Sequence, residues 1–272
     1  MNRALLRRLI GDSFGLLALL TGATLATELA FMAVLREFSQ QDHVVWMRVE
    51  FVQRMLRALL GAELTPDTSA TGLMALGFTH PLIYAFSWSY LLTAATRIPA
   101  AEIERGTADL LLTLPVTRTT VYASATVHLL AACLVFAAAA LGGVWLAEHI
   151  VPLWEPLEFG RLTIVAVNLL AVHVCVSITA LMVSTWCVRR GAAVAIMLAW
   201  VFASLLLELL GQLSTTAATF GALGILHYHR PLITIRSGDW PLGHLVVLFL
   251  AAIAGWTIGA ARFKRRDIPA AG

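Results

Sequence analysis

The chain is poor in charge: only 13% of its 272 residues are Asp, Glu, Lys or Arg, and Lys264 is its single lysine. With 59% hydrophobic residues and a mean hydropathy of +0.82, that scarcity excludes a soluble domain of ordinary charge content. A lone lysine in the C-terminal tail leaves no Gly-x-x-x-x-Gly-Lys-Ser/Thr, so the chain has no loop to cradle a nucleotide phosphate. Cysteine is equally sparse. Cys133, Cys175 and Cys187 lie in apolar stretches without Cys-x-x-Cys spacing, which argues against a zinc site or a disulfide framework and leaves them as small core residues. His-Glu-x-x-His is missing, and no paired aspartates occur in the apolar runs, so two common classes of membrane enzyme lack their residues. His227 and His229, at i and i+2, are too few for a metal site by themselves, and no metal is expected.

What the chain has instead is length in its apolar runs. A bilayer core of about 30 Å is crossed by roughly 20 helical residues. Six stretches reach that length, at about 15–35, 72–95, 122–146, 162–187, 192–212 and 242–262. A β-barrel needs alternating segments, and "LLAACLVFAAAALGGVWLA" does not alternate. The expected fold is therefore all-α, a polytopic membrane protein with six transmembrane helices in a single domain. The first run holds Glu28 and is too long for a signal-peptide core, so it reads as a retained span. Threading six spans from an inside N-terminus places twelve Lys and Arg residues inside and seven outside. That bias puts both termini in the cytoplasm. It also accounts for the pI near 9.0 without any nucleic acid partner.

Two further helices are expected on the membrane surfaces. Residues 2–13 set Leu5, Leu6, Leu9 and Ile10 against Arg3, Arg7 and Arg8, the pattern of an interfacial helix facing anionic lipid headgroups. Residues 43–60 set Val44, Val45, Met47, Phe51, Val52, Met55, Leu56 and Leu59 against Glu50, Gln53, Arg54 and Arg57, an external amphipathic helix on the membrane or on an extracytoplasmic protein partner. The third outer loop, about 213–241, carries "LHYHRP". Spans four and five are joined by only "VRRGA" and must be antiparallel neighbours.

Between spans two and three lies "AAEIERGTADLLLTLPVTRTTVYAS", the loop 100–118 with its flanks. Acids in the first turns, Ile103, Leu110, Leu111 and Leu114 at helical spacing, and a stop at Pro115 predict an amphipathic helix along the cytoplasmic surface, with Arg118 anchoring span three. These residues resemble the corresponding segment of ABC-2 type exporter permeases, where an acidic pair and Gly-Thr lead into a leucine run, a proline and a Ser/Thr-Arg. The likeness extends over most of the chain and is nearest to the half-size, six-span permeases of the nitrous-oxide-reductase-maturation kind. Ala125 departs from it, since many relatives keep a lysine there.

The resemblance implies a cytoplasmic coupling helix in which Glu102, Glu104, Arg105, Gly106, Thr107, Asp109, Leu110, Leu111, Leu112, Leu114, Pro115 and Arg118 meet or support a separate ABC ATP-binding subunit. ATP and magnesium would sit on that partner and no cofactor on this chain. It further implies a second permease copy, an exporter's transport role rather than an enzyme's, and a bacterial or archaeal cytoplasmic membrane.

Four polar residues fall inside the outer halves of the spans: Glu28, His80, Asn168 and Glu208. Intramembrane carboxylates are costly and face a bundle or a wet cavity, so these four are candidates for a translocation path. Pro81 removes a backbone donor and is expected to kink span two. Gly255 and Gly259 give the last span a surface for close helix packing, within the chain or against a second copy. The substrate reads as a lipid, a hydrophobic compound or a peptide, and mechanical work on an outside partner fits equally. An ion-coupled carrier and a membrane-embedded enzyme or scaffold are the other readings.

Overall fold

A computed structural model describes residues 3–38, 69–106, 117–213 and 219–266 of the chain. The expected external helix at 43–60 and residues 107–116 lie outside the described residues. Every regular element among those described is helical. Five helices are long and apolar enough to cross a membrane. They are α1 (Arg3–Phe38), α4 (Arg118–Ile150), α5 (Phe159–Ser184), α6 (Arg190–Leu213) and α8 (Leu242–Arg265), joined by the shorter α2 (Ala70–Ala75), α3 (Pro81–Ala95) and α7 (Pro231–Ser237).

The first correction concerns the N-terminus. The surface helix at 2–13 is no separate element but the start of α1, which runs unbroken for 36 residues, or about 54 Å at 1.5 Å per residue. Its amphipathic pattern survives within the longer helix: Leu5 and Leu9 are buried, whereas Arg7 and Arg8 are exposed.

The second correction concerns 72–95, expected as one span. The chain breaks there. Ser69 caps α2 by accepting from the Gly72 amide at 3.1 Å, and Leu76–Thr79 tightens into a 3-10 turn. Pro81, lacking an N–H, cannot continue a helical ladder from Gly77, whose carbonyl accepts instead from the His80 amide at 2.9 Å. Pro81 then occupies the first position of α3, where its missing donor costs nothing, and His80 Nδ1 accepts from the Leu82 amide at 3.3 Å. The anticipated kink is thus a full interruption, and α3 at 15 residues spans only about 22 Å by itself.

Helix α5 forms the axis of the bundle. Leu162, Leu169, Val172, His173, Val176, Ala180 and Leu181 are all buried against neighbours on every side. The apolar interior stacks in two layers along this axis. One gathers Leu5, Leu91, Tyr122, Val176 and Phe263, and the other Met32, Met74, Phe78, Val144, Leu162 and Ile235. By contrast α6 and α8 turn Phe202, Leu206, Leu250 and Ile253 outward, as a lipid-facing surface would.

Helix α8 docks on α5 and α4 through Gly259, where an added Cβ would lie 3.0 Å from Met182 Cα and collide with the Tyr122 hydroxyl. Gly255, one turn earlier, faces only ordinary contacts at 3.8 Å from Ile178 and Met182. The close approach made by Gly259 is therefore satisfied inside this chain.

Contacts between chain ends fix how the helices thread. Arg97 reaches Asp12 at 2.5 Å, Arg118 reaches the Phe263 carbonyl at 3.5 Å, and Arg266 reaches the Thr185 carbonyl at 2.6 Å. The start of α1, the end of α3, the start of α4, the end of α5 and the end of α8 consequently share one face, called here the basic end.

Candidate functional site

Two polar assemblies stand out from this apolar background, one at the basic end and one deep in the opposite half. At the basic end the chain leaves α3 through a wide turn, Arg97–Ala101, and a single helical turn, Glu102–Glu104. Ile98, Pro99, Ala100 and Ala101 are buried, and the Ala100 amide donates to Ser184 Oγ at 3.1 Å, tying the loop to the end of α5. Arg190 opens α6 and binds the same loop from the other side. Its amide donates to Glu104 Oε2 at 2.8 Å, and its guanidinium donates to Thr96 Oγ1 at 3.3 Å and to the Thr93 carbonyl at 3.2 Å. A carboxylate on the first amide of α6 also complements the positive end of that helix.

The expected continuous helix from Ala100 to Leu114 is interrupted. Gly106 adopts a left-handed conformation, φ 68°, which ends the helical turn as a C-terminal glycine does. Glu104, Arg105 and Gly106 are exposed at the tip, whereas Glu102 is buried. Thr107, Asp109, Leu110, Leu111, Leu112, Leu114 and Pro115 lie outside the described residues. At the far side of that gap Thr117 Oγ1 accepts from the Thr120 amide at 3.2 Å and caps α4.

Arg118 and Arg266 complete the assembly. The Arg118 guanidinium donates to the carbonyls of Phe263 and Arg266. Buried Arg266 in turn donates to the carbonyls of Ser184, Thr185 and Cys187, at 3.5, 2.6 and 3.1 Å. These are acceptors that the end of α5 leaves without intrahelical partners. Apart from a basic tail, no pattern along the chain signals this role. Burial pushes the Cys187 thiol up, partly offset by the nearby Arg266 charge.

In the opposite half, the residues following α6 do not stay in an outer loop. Two 3-10 turns, Gly221–Leu223 and Ile225–Tyr228, dip back into the bundle before α7. The Ile225 amide donates to Ser204 Oγ at 3.3 Å, about 14 Å from the C-terminal end of α6 by helical rise. His227 and His229, expected outside the membrane region, are thereby carried inward, and His229 is buried with Nδ1 2.9 Å from Asn168 Oδ1. Arg230 follows them and donates to Glu208 Oε1 at 3.2 Å, with His227 Nδ1 2.9 Å away. His244 closes the group, its ring 6.1 Å from that of His227. Two of the four residues singled out in the spans, Asn168 and Glu208, are thus joined through side chains of this inward-dipping segment. His244 and His173, which look scattered along the sequence, belong to the same neighbourhood. The physical cause is the Gly- and Pro-punctuated stretch "FGALGILHYHRP", which cannot form a long helix and whose polar groups find partners inward.

Glu28 and His80 are placed differently. Glu28 is fully buried between α1, α4 and the Leu76–Thr79 turn, where Gly77 and Gly143 leave room for it, and neither of its oxygens has a partner among the described residues. His80 caps α3 and faces the Phe31 ring at 6.0 Å.

A third group carries the sequence of a catalytic pattern. "GDSFG" at 11–15 has Gly-x-Ser-x-Gly spacing, and Ser13 Oγ lies 3.4 Å from His128 Nε2 and 2.9 Å from the Tyr90 hydroxyl. The pattern works as a nucleophile elbow only on a strand-to-helix turn with free amides beside it. Here it runs inside uninterrupted α1, and the Ser13 hydroxyl donates to the Leu9 carbonyl at 2.7 Å. With the amides tied up in the helix there is no oxyanion hole, so Ser13, Tyr90 and His128 form a clasp between α1, α3 and α4. Among the described residues no group of three or more His, Cys, Asp or Glu side chains is arranged to hold a metal ion.

No curated protein and no solved structure matches the chain. One family model does, over residues 29–269, from the second half of α1 through the basic tail. The chain accordingly belongs to DUF2705, a family of proteins of unknown function.

Proposed function

We propose that the chain is the permease subunit of an ATP-driven exporter of the ABC-2 type, crossing the cytoplasmic membrane six times with both termini inside. In this reading two copies work with two separate ATP-binding subunits, which carry the ATP and magnesium. The observation that supports it best is the docking of the 97–106 loop. Its buried part is bonded to the ends of α5 and α6, through Ser184 and Arg190, while Glu104, Arg105 and Gly106 face outward. A force on that tip reaches α3, α5 and α6 together, and Arg118 with Arg266 extends the linkage to α4 and α8. The sequence resemblance implies an ATPase contact at the same loop. The broken α2–α3 element and the inward-dipping segment give the opposite half two pieces not locked into long helices, where movement would open a path past Asn168 and Glu208. Glu28 and His80 would border that path from the α1 side.

The polar assembly around Glu208, Arg230 and the histidines favours one alternative, an ion-coupled carrier, since such residues within a membrane also serve coupling ions. Purification decides between the two. Drawn from its native membrane in mild detergent, the chain is expected to bring a separate polypeptide carrying Gly-x-x-x-x-Gly-Lys-Ser/Thr. Arg105→Glu, an exposed change at a side chain without a hydrogen bond or ion pair among the described residues, should abolish that association while leaving the yield of folded chain intact. Glu104→Arg is a poorer probe because it also breaks the Arg190 contact. A chain that purifies alone under all conditions would return the carrier to the front.

A further inference from the structure

Between α3, α5 and the inward-dipping segment lie polar atoms that the described chain leaves without partners. His173 is fully buried, and neither of its ring nitrogens is hydrogen-bonded among the described residues. The same holds for Asn168 Nδ2, His229 Nε2 and Trp88 Nε1, in side chains of residues only 2%, 5% and 7% exposed. These groups are neighbours. Asn168 and His229 are bonded to each other, the Tyr84 ring meets His229 edge-on at 6.3 Å and stacks on Trp88 at 4.6 Å, and His173 is within electrostatic reach of His229. Unmet polar atoms are costly in a membrane interior, and a concentration of them persists where an occupant supplies the missing bonds.

The chemistry of the atoms restricts the occupant. Trp88 Nε1 only donates, whereas a neutral imidazole offers one donor and one acceptor, so the set as a whole calls for a group that both gives and takes hydrogen bonds. Arg230 is paired with Glu208 at 3.2 Å, and Glu28 packs on Gly77 while the next residue of the same turn, Phe78, lies beside His229. Within this set an anionic headgroup would meet no unpaired cation and a cationic one no carboxylate, the unpartnered Glu28 being enclosed instead by Gly77 and Gly143. The stacked Tyr84–Trp88 pair and the surrounding apolar core suit a molecule whose remainder is hydrocarbon.

We infer that His173, Asn168, His229 and Trp88 form the seat for an uncharged, hydroxyl-bearing headgroup of a membrane amphiphile, of the diacylglycerol type. As a statement of substrate class this rests on the transport reading, but binding itself does not depend on an ATPase. A hydroxyl and a water molecule share the required chemistry, and the test separates them. The full chain is placed in phosphatidylcholine nanodiscs with a photoreactive diacylglycerol, the chain-matched photoreactive phosphatidic acid, or a chain-matched probe whose hydroxyl is methylated. Adducts are then mapped by mass spectrometry.

The expected result is diacylglycerol labelling of peptides containing residues 84–88, 168–173 or 225–230, at least about fivefold above both other probes. His173→Phe should reduce it to the level of the methylated probe, while His173→Gln, which keeps a donor and an acceptor, retains most of it. Trp88→Phe, which removes one donor with little change of shape, provides the same comparison should His173→Phe fail to fold. Equal labelling by all three probes, labelling unchanged in a folded His173→Phe or Trp88→Phe chain, or no adducts at these peptides would overturn the assignment, the last leaving internal water as the occupant. ATPase co-purification in the face of any of these outcomes would show that the substrate assignment alone had failed.

Discussion

Arg266→Gln is expected to release the basic end of the bundle, with a loss of about 3 kcal/mol of local stability, the scale of charge-assisted hydrogen bonds lost from buried acceptors. Three carbonyls depend on this one guanidinium, those of Ser184, Thr185 and Cys187, and they close the end of the helix that forms the axis of the fold. Cys187 reports the release directly. It is the one thiol at an end of the bundle, because Cys133 and Cys175 are buried within α4 and α5. Alkylation by a maleimide should be slow in the native chain and at least about tenfold faster in Arg266→Gln, since each 1.4 kcal/mol lost multiplies the open population by ten. Arg266→Lys should fall between the two, as one ammonium cannot span carbonyls that Nη1 and Nη2 reach separately. An unchanged rate in Arg266→Gln would mean that the tail is a passive cover.

The second large effect is expected at Glu28. A Cβ on Gly143 would lie 3.0 Å from Glu28 Cβ and 3.2 Å from the Leu25 backbone, so Gly143→Val forces α1 and α4 apart at a cost of about 3 kcal/mol, the upper range for overpacking. Gly77 presses on the other end of the same side chain, where an added Cβ would collide with Oε2. Gly77→Ala should therefore cost about 1–2 kcal/mol alone and much less in a Glu28→Ala background, a coupling that a double-mutant cycle measures. Glu28→Gln, nearly isosteric and uncharged, should melt within a few degrees of the native chain, because the carboxylate makes no partnered hydrogen bond among the described residues. Additive costs for Gly77→Ala and Glu28→Ala would contradict the packing described here.

Much of this architecture was legible in the sequence because hydrocarbon imposes simple rules. Apolar runs near 20 residues marked all five long helices, "VRRGA" forced α5 and α6 together, and the Gly255–Gly259 stripe marked the tight seam of α8. The failures have equally specific causes. Leu5 and Leu9 have the periodicity of a surface helix, yet nothing between Arg8 and Leu16 breaks the backbone, so one helix continues through. Pro81 signalled a kink, but an interruption required His80 to cap the next helix and Leu76–Thr79 to tighten, neither of which has a pattern in composition. Gly106 falls inside the helix expected from Ala100 to Leu114 and, by turning left-handed, ends it. The inward path of "LHYHRP" was missed because polarity alone places a segment in water. Its partners, Asn168 and Glu208, sit in helices 20 or more residues away in sequence. His173 carried no signal at all, since a single histidine in an apolar helix is ordinarily a bonded core residue, and only its lack of partners marks it out.

In the proposed reading the exposed tip after α3 is where a separate ATPase presses. The most direct test places a photoreactive benzoylphenylalanine at Arg105, irradiates native membranes, and identifies what is attached. Trp154, exposed in the connection between α4 and α5 at the opposite end, serves as the control position. Crosslinking from 105, but not from 154, to a polypeptide bearing Gly-x-x-x-x-Gly-Lys-Ser/Thr is the predicted result. Photoreactive chains that are folded and membrane-inserted, yet never join such a polypeptide from 105, would contradict it.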